Sequence, residues 1–399
     1  MKTLLLAAFV VLSACAQDST LTRLLRTNAY PLTASGTQFS GTGWDRVRAS
    51  VQQSQFVLLG EDHGTAQIPA FTAAVAQVLK PAAFVAEIDK YQAQELTRLS
   101  DQPSLATAYF KANPGSLSFY SWAEEFELAQ QLRAQKTQLI GVEQVGVFTI
   151  SRFYTQLAGL VKSKSAGAYL RRRAVAYQAH DLAVSRKGGE NYSMVIQKQS
   201  AVDSLQVFAR QESPEVQRMV QDYAVSYKIY QSSVSGSGGH QERVNLMKRN
   251  LLQSLRPYQS APGQPQPKLL FKFGASHMAR TLSPWAGITD VGNLVQNLAD
   301  VQDAQSLHLL VMGKQGTHVG GFSPDDPSKN VAPYTLVDEL YFKPFLDLTT
   351  GSSWQVFDLR PARKALLRDK LNISSQKLQN IILGYDYVVI IPETTASRS

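Results

Sequence analysis

Cysteine is almost absent from this chain: among 399 residues only Cys15 carries a thiol. A single cysteine excludes an intrachain disulfide and a Cys-based zinc site, and its position ahead of any folded element excludes a cysteine nucleophile in the mature protein. Membrane-length apolar runs are also lacking. Leu4–Leu12 has the length of a leader segment and is too short to cross a bilayer as a helix. Several catalytic signatures are missing too. Gly274–Met278 lacks the closing glycine of a Gly-x-Ser-x-Gly elbow. There is no His-Glu-x-x-His, no Gly-x-x-x-x-Gly-Lys-Ser/Thr and no Gly-x-Gly-x-x-Gly, which disfavours zincin, P-loop and dinucleotide-binding readings. No repeat recurs at solenoid spacing, and no motif resembles a nucleic-acid reader.

What is present begins with an export signal. Met1 and Lys2 precede the apolar run, and Leu12-Ser13-Ala14-Cys15 reads as a bacterial lipobox. Cys15 is then the lipidated first residue of an envelope protein, facing the periplasm or seated on the outer membrane, with the membrane as a partner. The alternative is ordinary cleavage around Ala14-Cys15-Ala16 and a soluble secreted product. The formal net charge of +9 becomes +8 once Lys2 leaves with the leader. The densest basic stretch, Lys162, Lys164 and Arg171–Arg173, spreads around a helix as a solvated face or as a contact for anionic headgroups. Nucleic acid is not expected as a partner; a small-molecule substrate or ligand is.

With 44% hydrophobic and 18% charged residues, the chain has ample material for a core. Residues 16–43 are rich in Ser, Thr and Gly and read as a tether with little structure. Beyond them, short apolar runs at Gln55–Leu59, Ala82–Ala86 and Gln138–Val142 predict strands buried on both faces. Ile68–Leu79, Tyr91–Leu99 and Ser121–Gln135 have helical spacing between them. Strand–helix alternation of this kind implies right-handed crossovers and a parallel sheet. From Phe148 to about Leu255 the pattern is helical, broken by the flexible Ser232–Gly239. Pro257–Pro267 reads as a linker, and strands resume at Leu269–Phe273, Leu307–Met312, Trp354–Leu359 and Tyr387–Ile391. The expected architecture is α/β: one domain over 44–399, its central, largely parallel sheet flanked by helices. A helical insertion over 148–256 covers the C-terminal strand edge or forms a structural subdomain.

Four predicted strands end in ionisable residues. The first ends in Gly60-Glu61-Asp62-His63, the second in Glu87 and Asp89, the third in Glu143, and the fourth is followed by His277. In open α/β sheets ligands bind beyond the carboxyl ends of the strands, where parallel pairing would gather these groups. A histidine with an ordinary pKa of about 6.5 can move protons near neutrality. Neighbouring carboxylates can fix its tautomer. Glu61, His63, Glu87 and His277 could also hold a divalent metal that activates water. His180, His240, His308 and His318 lack acidic partners at a strand end, although His240 opens a helix beside the flexible loop.

These segments resemble the erythromycin esterase-like proteins, within the wider group that includes ChaN-like haem-uptake lipoproteins and Tiki/TraB proteins. The resemblance is carried by Leu58–Gly64, Phe84–Asp89, Trp122–Arg133 with Leu139–Glu143, the spacing of Arg243, Met247 and Asn250, and Tyr385–Thr394. The esterase resemblance implies water attack on an ester or lactone, with His63 as general base surrounded by Glu61, Glu87 and His277, and with Arg243 as a further site residue. Glu61 and His63 are separated by Asp62 alone, as in ChaN-like proteins, whereas the esterases place two residues between them. Glu143 stands where the esterases more often carry Asp. The ChaN-like likeness implies instead a haem- or metal-binding lipoprotein without turnover. For that reading the tyrosines around Tyr223, Tyr227 and Tyr230 offer a ligand, although they read first as a core or surface stripe.

Overall fold

A computed structural model describes residues 20–258 and 267–399. The leader, Cys15 and most of the expected linker lie outside them. In chain order the elements are α1 (20–27), β1 (Ala29–Ser35), β2 (Gln38–Ser40), α2 (Thr42–Gln53), β3 (Phe56–Glu61) and α3 (Gln67–Leu79). Then come β4 (Ala83–Asp89), α4 (Lys90–Asp101), α5 (Pro103–Ala112), α6 (Ala123–Ala134) and β5 (Gln138–Glu143). Six helices follow: α7 (Ile150–Leu160), α8 (Lys164–Arg186), α9 (Ser193–Ile196), α10 (Gln199–Ala209), α11 (Pro214–Val234) and α12 (His240–Leu255). The chain continues through β6 (Leu269–Gly274), α13 (Val291–Val301), β7 (Ser306–Val319), β8 (Val331–Thr335), β9 (Trp354–Asp358) and β10 (Tyr387–Thr394). It divides into two compact units. The first holds the described residues up to 81 with 268–318 and 333–396; the second holds 82–258 and 267 with 319–332 and 397–399.

In the first unit the strands run in the order β2-β1-β9-β10-β7-β3-β6. β3 lies between two parallel neighbours, with Leu58 beside Phe271 of β6 on one side and His308 of β7 on the other. All six of its residues are buried. That explains its unbroken apolar run, since a strand covered on both faces has no solvent side to alternate with. Full burial of Val57, Leu58 and Leu59 stabilises by about 1.5–3 kcal/mol each relative to exposure. β10 is parallel to β7, whereas β1 pairs antiparallel with β2 and β9, and β9 with β10. α3 ends at Lys80, which adopts a left-handed φ of 55° just before Pro81.

The expected tether is corrected here. Residues 20–43 form α1, β1, β2 and the start of α2, and β1 pairs antiparallel with β9. Its polar composition hides the anchors, because only Leu21, Leu25 and Leu32 among its aliphatic residues enter the core.

In the second unit β4 and β5 pair in parallel, with an irregularity between Ala86 and Asp89. Gly141 permits it, because a Cβ there would lie 2.4 Å from the Asp89 carbonyl oxygen. The helices α7 to α11 share a core that includes Phe153, Tyr154, Leu157, Tyr177, Met219 and Tyr223. Phe153 and Tyr223 stack with centroids 5.0 Å apart. This helical segment covers the C-terminal end of β5. There the Val145 N–H donates to Ser226 Oγ at 2.9 Å and the Val147 N–H to the Tyr230 hydroxyl at 3.0 Å. The fold is thus α/β, with a largely parallel sheet flanked by helices and a helical region over one edge.

Candidate functional site

In the first unit the site grows from the end of β3. A Cβ at Gly60 would lie 3.0 Å from the Tyr385 hydroxyl and 3.1 Å from Ala275 Cα, so a larger residue would have to push these neighbours back. Gly64 has φ 82°, a left-handed turn that takes the chain off the strand. Thr65 then bridges to Ala396. Between these two glycines Glu61 is 3% exposed, while the His63 side chain is 26% exposed. His63 Nδ1 and Glu61 Oε1 are 2.8 Å apart.

Sequence reasoning missed the third member of this group. Lys272, beside Leu59 in the β3–β6 register, is buried and donates from Nζ to the same Glu61 oxygen at 2.6 Å. Burial works to raise the Glu61 carboxyl. The Lys272 ammonium and then the His63 bond outweigh it and hold the pKa below the ordinary carboxylate value. The available signal was a lysine inside an otherwise apolar strand, which needs a buried counter-ion.

His277 follows β6 on a short 3-10 turn and is 2% exposed. Its Nδ1 lies 2.9 Å from Asp290 Oδ2, while Asp290 Oδ1 accepts the Val291 N–H and caps α13. Asp290 carried no signal in the sequence, because cap residues are common and its partner is 13 positions away.

In the second unit the structure brings Glu87, Glu143 and Arg243 together. Arg243 donates from Nη2 to Glu87 Oε1 at 2.6 Å and from Nε to Glu143 Oε2 at 2.8 Å. Burial disfavours its charge, but Glu143 and Glu87 more than compensate and push its pKa up. The Arg243, Met247 and Asn250 spacing now has a physical meaning. On one face of α12, Arg243 reaches Glu143, Met247 is fully buried, and Asn250 Nδ2 donates to the Val142 carbonyl at 2.9 Å. The three ionic residues line a cavity of about 440 Å³ together with Phe119, Tyr230 and His240. His240, set aside in the sequence for want of an acidic strand-end partner, therefore lines the same cavity as Glu87 and Glu143.

Other candidates have structural positions. Asp89 caps α4 by accepting the Gln92 N–H and pairs with buried Arg152 at 2.7 Å. His308 is buried in β7, where its Nδ1 and the Met278 carbonyl oxygen are 2.7 Å apart. Desolvation, reinforced by nearby Arg280, pushes its pKa down to about 3. His180 Nε2 lies 2.9 Å from the Asn191 carbonyl, and the His318 ring packs 5.2 Å from that of Tyr334. Tyr223 and Tyr227 are core residues whose hydroxyls donate to Gln197. Among the described residues no set of three or more His, Asp or Glu side chains could hold a metal ion. Nor is any helix among them long and apolar enough to cross a membrane.

The geometry can be set beside known proteins. No protein-family profile matches the sequence, and no curated protein matches it. Three solved structures share its fold. A Bacillus cereus protein superposes with a TM-score of 0.56 at 14% identity, covering 96% of this chain and 98% of its own. An erythromycin esterase variant in its open conformation superposes with a TM-score of 0.53 at 14% identity, over 89% of this chain and 94% of that one. A succinoglycan biosynthesis protein gives 0.58 at 11% identity, over 96% and 99%.

Proposed function

We propose that this protein is a hydrolase of esters or lactones, with His63 as its general base. The observation that supports this most directly is the buried Lys272–Glu61–His63 chain at the end of β3. Glu61, kept ionised by Lys272, accepts a hydrogen bond from His63 Nδ1–H. In this reading Nε2 carries the proton. His63 takes a proton from water as the oxygen attacks the ester carbon. The bond from that carbon to the alcohol oxygen then breaks, and the proton passes to the leaving oxygen, giving acid and alcohol. His277, fixed by Asp290, is a further site residue of the first unit in this reading and stabilises the charge that develops. Glu87, Glu143 and Arg243 form a second candidate set in the second unit, where a guanidinium fixed by two carboxylates can orient a ligand's oxygens. The shared fold of an erythromycin esterase is consistent with the reading. In the same proposal Cys15 is lipidated and holds the enzyme at the cell envelope.

The test is a panel of esters and lactones assayed with wild type and His63→Ala. The substitution is expected to lower kcat/KM by about 10²–10⁴-fold on whichever substrate wild type cleaves. Undiminished turnover in His63→Ala would defeat the proposal.

A further inference from the structure

Five aromatic side chains of the second unit, Phe110, Phe119, Trp122, Phe148 and Phe322, wall a cavity of about 300 Å³. They come from α5, from the turn leading into α6, from the loop after β5 and from the 319–332 segment. Phe322 rests on Gly115, where a Cβ would lie 2.8 Å from the ring. Phe119 and Trp122 are tilted against each other with centroids 5.6 Å apart. Phe148 is 48% exposed and stands edge-on to Tyr192, with ring centroids 4.5 Å apart.

Four polar side chains of the lining, Ser118, Ser121, Asn330 and Ser399, have protein partners. Ser118 Oγ donates to Gln92 at 3.3 Å, and Ser121 Oγ accepts the Leu117 N–H at 3.1 Å. Asn330 accepts the Ser323 N–H through Oδ1 and donates to Ser399 through Nδ2. Water in such a cavity finds few partners, and an apolar group that displaces it gains affinity.

We infer that this cavity binds an apolar ring system or short alkyl chain. Its volume is twice that of an apolar cavity of about 150 Å³ that accommodates one benzene, so it suits two fused rings or roughly eight carbons. Phe119 also lines the cavity of Glu87, Glu143 and Arg243, so the two cavities share this ring as a wall. This binding does not depend on the hydrolase reading.

The test titrates the purified protein with straight-chain alcohols from butanol to decanol and with 2-naphthol, by calorimetry and by tryptophan fluorescence. Single-site binding is expected, with Kd falling about four-fold per methylene up to roughly eight carbons and then levelling. Ser323→Trp, which fills the cavity from its lining, should weaken octanol binding at least ten-fold, and Phe322→Ala should shift the preferred length upward. Trp122→Phe should abolish most of the fluorescence change while the calorimetric signal remains. A Kd independent of chain length, or unaltered in folded Ser323→Trp and Phe322→Ala proteins, overturns the inference. If Ser323→Trp does not fold, the length series and Phe322→Ala decide.

Discussion

Glu61 is held by two neighbours of different reach. His63 lies two positions along the chain and is visible in the motif, whereas Lys272 is supplied by the adjacent strand. Removing the cation leaves a carboxylate in a dry place. Lys272→Met is expected to cost about 3–5 kcal/mol at neutral pH, and Glu61→Gln added to it should recover part of that loss, measured by urea unfolding. The pH dependence follows from the lowered Glu61 pKa. In wild type the contribution of Glu61 is present above the unfolded carboxylate value of about 4.3 and is lost as pH falls through the lower folded value. In Lys272→Met the uncompensated burial raises the carboxyl, so relative to wild type the variant should lose stability as pH climbs from about 4 to 7. Parallel stability curves for the two proteins would show that Lys272 does not set this ionisation. As a positioning residue, Lys272 should also govern the acid limb of the kcat/KM profile, which its removal shifts upward.

At the scale of elements, the parallel strands β4 and β5 carry Glu87 and Glu143 to one edge, and α12 delivers the cation that joins them. The strand ends could be read from apolar runs followed by acidic residues. Their pairing with Arg243 depended on a helix 100 residues beyond Glu143, a contact visible beforehand only through family likeness. Asp89 shows the opposite outcome. It shares the Glu87 segment and chemistry, yet it caps α4 and neutralises buried Arg152. Asp89→Ala should therefore destabilise the fold by about 3–5 kcal/mol. Chemical denaturation gives that number directly, and a loss below about 1 kcal/mol would remove Asp89 from this role.

At the scale of the whole molecule, buried ionisable groups set the acid limit of stability. The unfolded chain protonates His308 near 6.5, while the folded protein resists until about 3. Stability from this residue is complete above about 6.5 and is lost as pH falls toward 3, by at most about 1.4 kcal/mol per pH unit. His308→Gln should flatten that portion of the curve, and an unaltered slope between pH 6 and 4 would contradict the assignment. A prediction about location also belongs here. Cys15→Ser should move the exported protein from the membrane fraction to the soluble one, and retention in the membrane fraction would argue against a lipid anchor.

The sequence by itself determined the α/β class, most strand and helix positions and the Gly60–His63 motif. Buried strands need continuous apolar residues, and helices need a repeating face, so both leave local periodic signals. It also marked Glu87 and Glu143, and a family resemblance added Arg243 through the helix pattern it shares with Met247 and Asn250. Only the tertiary structure decided which of these groups pair. It supplied Lys272 to Glu61 and Asp290 to His277, put Asp89 in a cap, and made strands of residues that look like a tether. Those outcomes depend on strand register and on helix docking across long sequence separations, where a single lysine or leucine in an unremarkable segment becomes decisive through what it is buried against.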